Sequence, residues 1–201
     1  MLEVEGFILA GGASSRMGTD KARLELDGLN FVERIERALA SITARASLVG
    51  AAVERGAAWP GLPVISDVHV KWGALGGLHA ALAASRSEWA AVVACDLPFV
   101  TGELFVRLAS LRENFDAVVP MQADGRLQPL CALYRVSTTL SRAEELIANG
   151  ERRPRALLGR IQARTVAFDE LNDLPGAESF FLNINTPEDY AHARKGGISD
   201  R

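Results

Sequence analysis

The sequence predicts an α/β domain with a mostly parallel central sheet and helices on both of its faces. Three observations carry that expectation. Short apolar runs of strand length alternate with segments of helical period along the chain, the pattern of repeated βαβ units. One run, Trp89 to Ala94, is apolar throughout, as in a strand buried on both faces. No internal repeat, low-complexity tract or Pro/Gly/Ser linker interrupts the 201 residues, so a single domain over 1–201 is expected.

The elements follow in order. Phe7-Ile8-Leu9-Ala10 is the first strand run and ends at glycines. Phe31 to Ile42 reads as an amphipathic helix, with Phe31, Ile35, Ala38, Leu39 and Ile42 on one face. Ala46 to Val49 and Val64-Ile65 are short strand runs, and Gly76-Gly77 precede a helical stretch from Leu78 to Ala84. After the run at Trp89, Leu104 to Leu111 is helical. Ala117 to Met121 and Leu130 to Tyr134 read as strands paired antiparallel across the turn Asp124-Gly125. Thr138 to Ala148 is a helix closed by Asn149-Gly150. Phe180 to Ile184 reads as a last strand. Thr186-Pro187-Glu188-Asp189 then opens a helix with an N-cap Thr, a Pro at the first helical position and an acidic first turn.

Composition excludes several classes. The 22 Lys and Arg against 25 Asp and Glu leave a net charge of −3, with no electrostatic footprint for nucleic acid or an anionic membrane. No stretch of ~18 residues is free of charge, so no membrane span is expected. The start, MLEVEGFILAGG, carries two glutamates and no basic segment, unlike a secretory signal; a soluble, cytoplasmic protein is expected. Cys95 and Cys131 lie far apart, and His69, His79 and His192 lack metal-ligand spacing, which argues against a disulfide framework or a zinc site.

Ligands of open α/β sheets bind beyond the carboxyl ends of the strands. There the first run leads into Gly11-Gly12-Ala13-Ser14-Ser15-Arg16-Met17-Gly18-Thr19-Asp20-Lys21. The glycines allow a tight turn and close approach of backbone N–H groups, the serines offer hydroxyls, and Arg16 and Lys21 add positive charge. Together they suit a polyphosphate better than a plain surface turn. A Walker loop and a dinucleotide GxGxxG loop are both absent. GGASS is similar to the start of a short-chain dehydrogenase loop, but Arg16 stands where a glycine belongs and no YxxxK pair follows Tyr134 or Tyr190.

The stretch Leu9-Ala10-Gly11-Gly12 with Ser14, Arg16, Met17, Gly18, Asp20 and Lys21 closely resembles the signature LAGGxSxRMGxDK of the molybdenum cofactor guanylyltransferases, the MobA family. Related cytidylyltransferases usually carry LAAG, so the pair Gly11-Gly12 points to the guanylyl side. The resemblance implies a Rossmann-like three-layer αβα sandwich that uses GTP with Mg²⁺. It assigns nucleotide binding to Leu9, Ala10, Gly11, Gly12 and Lys21.

Other motifs agree. Asp96 follows the buried run Ala91 to Cys95, where a hard carboxylate suits Mg²⁺ held by one or two protein carboxylates, phosphates and water. Cys95-Asp96-Leu97-Pro98 resembles the family's CDxP, whose Asp binds metal and nucleotide. Val64-Ile65-Ser66-Asp67 resembles a strand whose terminal Asp contacts the nucleotide, and Gly73 to Gly77 resembles the family's GPLAG with Ala74 and Gly76 departing. Leu48-Val49-Gly50-Ala51-Ala52 lacks an Asn that the family commonly places there to contact the nucleotide. Gly150-Glu151-Arg152-Arg153 resembles a family GERR, which with its local positive charge makes Arg152 and Arg153 candidates for the phosphate of the second substrate. Asn183 to Asp189 resembles the family's NxNTPxD, and a period of two would set Asn183 and Asn185 on one face of the last strand, making their amides candidates for the metal's water shell or the second substrate.

The expected reaction is transfer of GMP from GTP to the phosphate of molybdenum-bound molybdopterin, releasing pyrophosphate. Arg16, Lys21 and Asp96 are the expected catalytic residues, and transient contact with cofactor-insertion proteins is an expected partnership. Two alternatives stand beside it: a related transferase with another base, such as a molybdenum cofactor cytidylyltransferase, and a non-catalytic cofactor carrier. A carrier needs no cations for a leaving group, which disfavours it.

Overall fold

A computed structural model describes residues 3–10, 21–50, 59, 61–66, 69 and 72–195. One seven-stranded sheet runs through the molecule. Its strands are β1 (Val4–Leu9), β4 (Ala46–Val49), β5 (Val64–Ile65), β6 (Trp89–Ala94), β7 (Ala117–Pro120), β8 (Cys131–Arg135) and β9 (Ala163–Val166). A separate hairpin pairs β2 (Glu25–Leu26) with β3 (Leu29–Asn30). The sheet order is β5-β4-β1-β6-β8-β7-β9. Pairing is parallel from β5 to β6 and between β7 and β9, and β8 alone runs against its neighbours.

The helices are α1 (Phe31–Leu39), α2 (Gly73–Ala84), α3 (Gly102–Ser110), α4 (Val136–Ala148), α5 (Pro154–Leu158) and α6 (Pro187–Lys195). Alternation along the strands feeds two apolar layers. Ile8, Leu48, Trp89, Ala91, Val93 and Leu133 join Val32, Ile35 and Leu39 of α1 and Leu104, Phe105 and Leu108 of α3 on one face. Phe7, Leu9, Val49, Ala90, Val92 and Tyr134 meet Leu75, Leu78 and Leu82 of α2, Ala143 and Ile147 of α4 and Leu157 of α5 on the other. This is the three-layer αβα sandwich that the sequence implies. Gly6 allows α1 to lie close to β1, since a Cβ there would stand 3.0 Å from Leu39 Cδ1.

Helix α1 starts at a reciprocal cap: Glu33 N–H donates to Asn30 Oδ1 at 2.9 Å, and Asn30 N–H donates to Glu33 Oε2 at 2.8 Å. Helix α4 ends in a Schellman turn, with Glu151 N–H donating to Leu146 O and Gly150 N–H to Ile147 O. Gly150 takes the left-handed φ of 82° that this turn needs.

Two expectations need correction. Phe180 to Ile184 forms no strand: a 3-10 turn at Ala177–Ser179 leads into irregular backbone through Asn185. Phe180 and Phe181 sink beneath the α1/α3 layer and Ile184 beside Leu26 and Phe31, while Leu182 stays exposed, so an apolar run arose without sheet pairing. Gly76 and Gly77 lie inside α2 rather than ahead of it, and the helix begins at Gly73. The elements α5 and β9 also escaped the pattern, because β9 (Ala163-Arg164-Thr165-Val166) buries only Val166 fully.

Candidate active site

The carboxyl ends of β1, β4 and β6 meet at one edge. There Ala10 N–H donates to Val49 O at 2.8 Å, and Cys95 N–H donates to Leu9 O at 3.0 Å. Leu9 and Ala10 are buried, so the chain leaves β1 from a rigid platform. Gly11, Gly12, Arg16 and Asp67 lie outside the described residues. The loop's far end returns at a 3-10 turn, Lys21–Arg23, steadied by Arg23 stacked over Trp59 at 5.0 Å from the ring centroid.

Asp96 follows β6 at this edge, half-buried. Burial pushes its carboxyl above the usual carboxylate range, and the positive charge of Lys21 opposes that shift. The backbone of Asp96 is fixed as well, because its carbonyl accepts Ile184 N–H at 3.0 Å. That bond draws the segment 183–185 against the end of β6.

Lys21 donates from Nζ to Asn185 Oδ1 at 2.7 Å, joining residues 164 positions apart. Asn185 is itself held by Asp189, whose Oδ2 accepts the N–H groups of Asn185 and Thr186, both at 2.9 Å. Thr186 Oγ1 in turn accepts Asp189 N–H at 3.1 Å, closing a capping box at the start of α6. These backbone donors, with a smaller contribution from Lys21, hold the Asp189 carboxyl below its usual range. Beneath, Tyr190 packs edge-on to Phe31 and donates its hydroxyl to Glu25 O at 2.7 Å. Leu26, Phe31 and Ile184 form the small core that carries the whole corner.

The structure thus brings Lys21, Asp96 and Asn185 to one edge. Asn183 and Asn185 are both exposed, on either side of buried Ile184; irregular backbone, not strand alternation, sets them there. The role of Asp189 was missed by sequence reasoning, although the Thr-x-x-Asp spacing of a capping box was there to find it.

The arginine pair stands at the same edge on the α2/α4 face. Helix α4 starts at the amino end of β6, where Val136 N–H donates to Glu88 O, and its far end approaches the start of α2. Arg153 is bound to Glu151 through Nε and Nη2, at 2.9 and 2.8 Å. With the N–H groups of Arg152 and Arg153, that bond lowers the Glu151 carboxyl to about 2. Arg152 instead lies over the Trp72 ring, 5.2 Å from its centroid.

Among the described residues, no group of three or more His, Cys, Asp or Glu could hold a metal. Among the described residues the donor chemistry is one desolvated carboxylate, Asp96, which fits a divalent ion shared with nucleotide phosphates and water rather than an all-protein cage. No described helix is long and apolar enough to cross a membrane.

Among the described residues, a lysine and a desolvated carboxylate meet at the carboxyl edge of an αβα sandwich, with a glycine-rich sequence between β1 and Lys21; these are the marks of a nucleotidyltransferase. The chain belongs to the MobA-like NTP transferase domain family, whose profile matches residues 6–166. It is 34% identical over 194 residues to a protein of Pelotomaculum thermopropionicum named "probable molybdenum cofactor guanylyltransferase", covering 96% of this chain and 93% of that one. It is 36% identical over 199 residues to a protein of the same name from Chloroflexus aggregans, covering 92% and 91%. The crystal structure of molybdopterin-guanine dinucleotide biosynthesis protein A from Archaeoglobus fulgidus superposes with a TM-score of 0.80 at 26% identity, over 95% of this chain and 97% of that one.

Proposed function

We propose that the chain, acting as a single domain over 1–201, transfers GMP from GTP to the terminal phosphate of molybdenum-bound molybdopterin and releases pyrophosphate. The observation that carries this reading is the convergence of Lys21, Asn185 and Asp96 at the carboxyl ends of β1 and β6, in a chain similar along nearly its whole length to proteins named guanylyltransferases. An oxygen of the acceptor phosphate forms the new bond to the α-phosphorus in line, and the bond from that phosphorus to the pyrophosphate oxygen breaks. The attacking phosphate is already ionised at neutral pH, so no general base is needed.

Such a reaction draws its rate from positioning and charge neutralisation. Lys21 offsets charge on the departing pyrophosphate, with Asn185 Oδ1 fixing the direction of its ammonium. Arg16 serves the same charge, Gly11 and Gly12 give backbone N–H groups to the phosphates, and Asp67 contacts the nucleotide. Asp96 would hold Mg²⁺, which when bound supplies Lewis-acid polarisation of the phosphates. The desolvated carboxylate of Asp96 supports this role, since a bound cation relieves the cost of its burial. Arg152, Arg153, Asn183 and Asn185 serve the second substrate in this reading. Neither nucleic acid nor a membrane enters the reaction; the protein works in the cytoplasm, with cofactor-insertion proteins as transient partners.

The deciding experiment offers molybdenum cofactor and Mg²⁺ with either GTP or CTP and follows pyrophosphate. Release with GTP alone is expected. Release with CTP alone would keep the chemistry and overturn the base, and release with neither would favour a non-catalytic carrier.

A further inference from the structure

The two arginines after α4 are adjacent in sequence but are held in different ways. Glu151 accepts both backbone N–H groups and then takes the Arg153 guanidinium through two further bonds. Arg153 is thereby neutralised at short range by a carboxylate. The guanidinium of Arg152 pairs with no carboxylate among the described residues. It is held instead on the indole face of Trp72, at a distance within the ~6 Å reach of a cation–π contact. That contact orients the guanidinium and, among the described residues, leaves its charge and its five N–H donors without a hydrogen-bond partner.

The stacking partner is itself braced. Trp72 N–H donates to His69 O at 3.0 Å, and the rings of His69 and Trp72 meet edge to face at 6.3 Å. His69 meets His79 at 4.8 Å, and His79 Nε2 stands 3.8 Å from Glu144 Oε1 on α4. A ladder of rings therefore ties the start of α2 to α4 and presents Trp72 to the turn that carries Arg152. Both ends lie at the carboxyl edge of the sheet, the edge of Asp96 and Lys21.

We infer that Trp72 is a positioning residue for the second substrate: its indole holds Arg152 ready to take the acceptor's phosphate monoester, while Glu151 turns Arg153 into a brace of the same turn. The inference rests on the proposed transfer reaction and adds to it which arginine meets the acceptor and what aims it. A bare surface arginine pays rotamer entropy when it binds an anion, and the stack removes part of that cost beforehand. No spacing rule links positions 72 and 152, so only the folded chain shows the pair.

The test is a double-mutant cycle in the full chain, with molybdenum cofactor and GTP as substrates and each KM measured separately. Trp72→Leu is expected to raise the KM for the cofactor about tenfold, the scale of a partly desolvated cation–π contact. Arg152→Ala is expected to raise it roughly tenfold to a hundredfold, the scale of a lost charged hydrogen bond. The double variant should match Arg152→Ala alone, because Trp72 acts only through Arg152. Trp72→Phe should recover most of the parental KM, a rescue that mere packing by Leu would not give. The KM for GTP should stay within about twofold in all four. A silent Trp72→Leu, effects that multiply in the double variant, or a shift in the KM for GTP in place of the cofactor would each overturn the inference. A parent chain that turns over no cofactor overturns the transfer reading itself; a parent that works while the cycle fails overturns this inference alone.

Discussion

Along β5, β4, β1 and β6 the sheet is parallel, and the groups at its carboxyl edge are fixed by burial and by bonds between distant segments. Asp96 is desolvated, its carbonyl is tied to Ile184, and Lys21 is pinned by Asn185. Across β8, β7 and β9 the edge is reached by turns whose charges pair in the open. Arg126 binds Asp124 and Arg153 binds Glu151, with arginine side chains 73% and 81% exposed. On the proposed reaction, the difference separates two tasks. Stabilising charge on a leaving group needs preorganised groups, whereas admitting a large second substrate is compatible with a solvated rim.

The largest effect should fall on the buried side. Asp96→Ala is expected to lower Mg²⁺-dependent turnover by three orders of magnitude or more, past the ~10²–10³ loss of a single stabilising group, because metal and nucleotide both lose their anchor. Full activity at low Mg²⁺ would place the metal elsewhere. Asp96→Asn should be equally inactive yet more heat-stable at neutral pH. Burial raises the Asp96 carboxyl, so the folded chain binds its proton more tightly than the unfolded chain. Stability is therefore greatest below the usual carboxylate range and declines as pH climbs through the raised value. The Asn variant lacks that decline, and each kcal/mol recovered should appear as ~2–4 °C in Tm. An identical pH profile in thermal melts would refute the desolvation argument.

Next comes the cation. Lys21→Ala should reduce kcat by about 10²–10³, and Asn185→Ala by about tenfold, since the ammonium keeps its charge and loses only its aim. If Asn185→Ala costs as much as Lys21→Ala, Asn185 itself touches substrate. The measurement is kcat at saturating GTP and cofactor.

Much of this is legible in the sequence. The run Trp89 to Ala94 announced a central strand and so placed Asp96 at a strand end, and Gly150 marked the close of α4. The glycine loop carries its chemistry in its residue types. What stayed hidden shares a physical cause. Phe180, Phe181 and Ile184 plug two separate cores, and a sequence pattern cannot tell that from a strand. The strand β9 is an edge strand with one fully buried side chain, so its alternation is weak. Contacts such as Lys21 with Asn185 and Arg152 with Trp72 join positions far apart in sequence, and local spacing holds no record of them.

The smallest effects sharpen the same contrast, because one substitution can be made on each side. Asp189 accepts two N–H groups with one oxygen and caps α6, and its carboxyl is held below the usual range. Its stabilising contribution is therefore present above that range and lost as pH falls through the lowered value. Asp189→Ala should cost about 1 kcal/mol of stability, the scale of a lost cap, and should also lower kcat by freeing Asn185 from its place beside Lys21. Asp189→Asn keeps an acceptor oxygen and should recover most of both. At the other edge, Asp124 accepts Arg126 N–H through Oδ1 and pairs with Arg126 Nε through Oδ2, 2.7 Å away in the open. Asp124→Ala should leave both kcat and Tm close to the parent, as exposed pairs contribute little and salt screens what they do contribute. Thermal melts and kcat measured on the four proteins at low and moderate salt decide the matter. If removing Asp124 costs as much as removing Asp189, the acceptor edge is as tightly built as the nucleotide edge, and the division of labour between the two halves of the sheet does not hold.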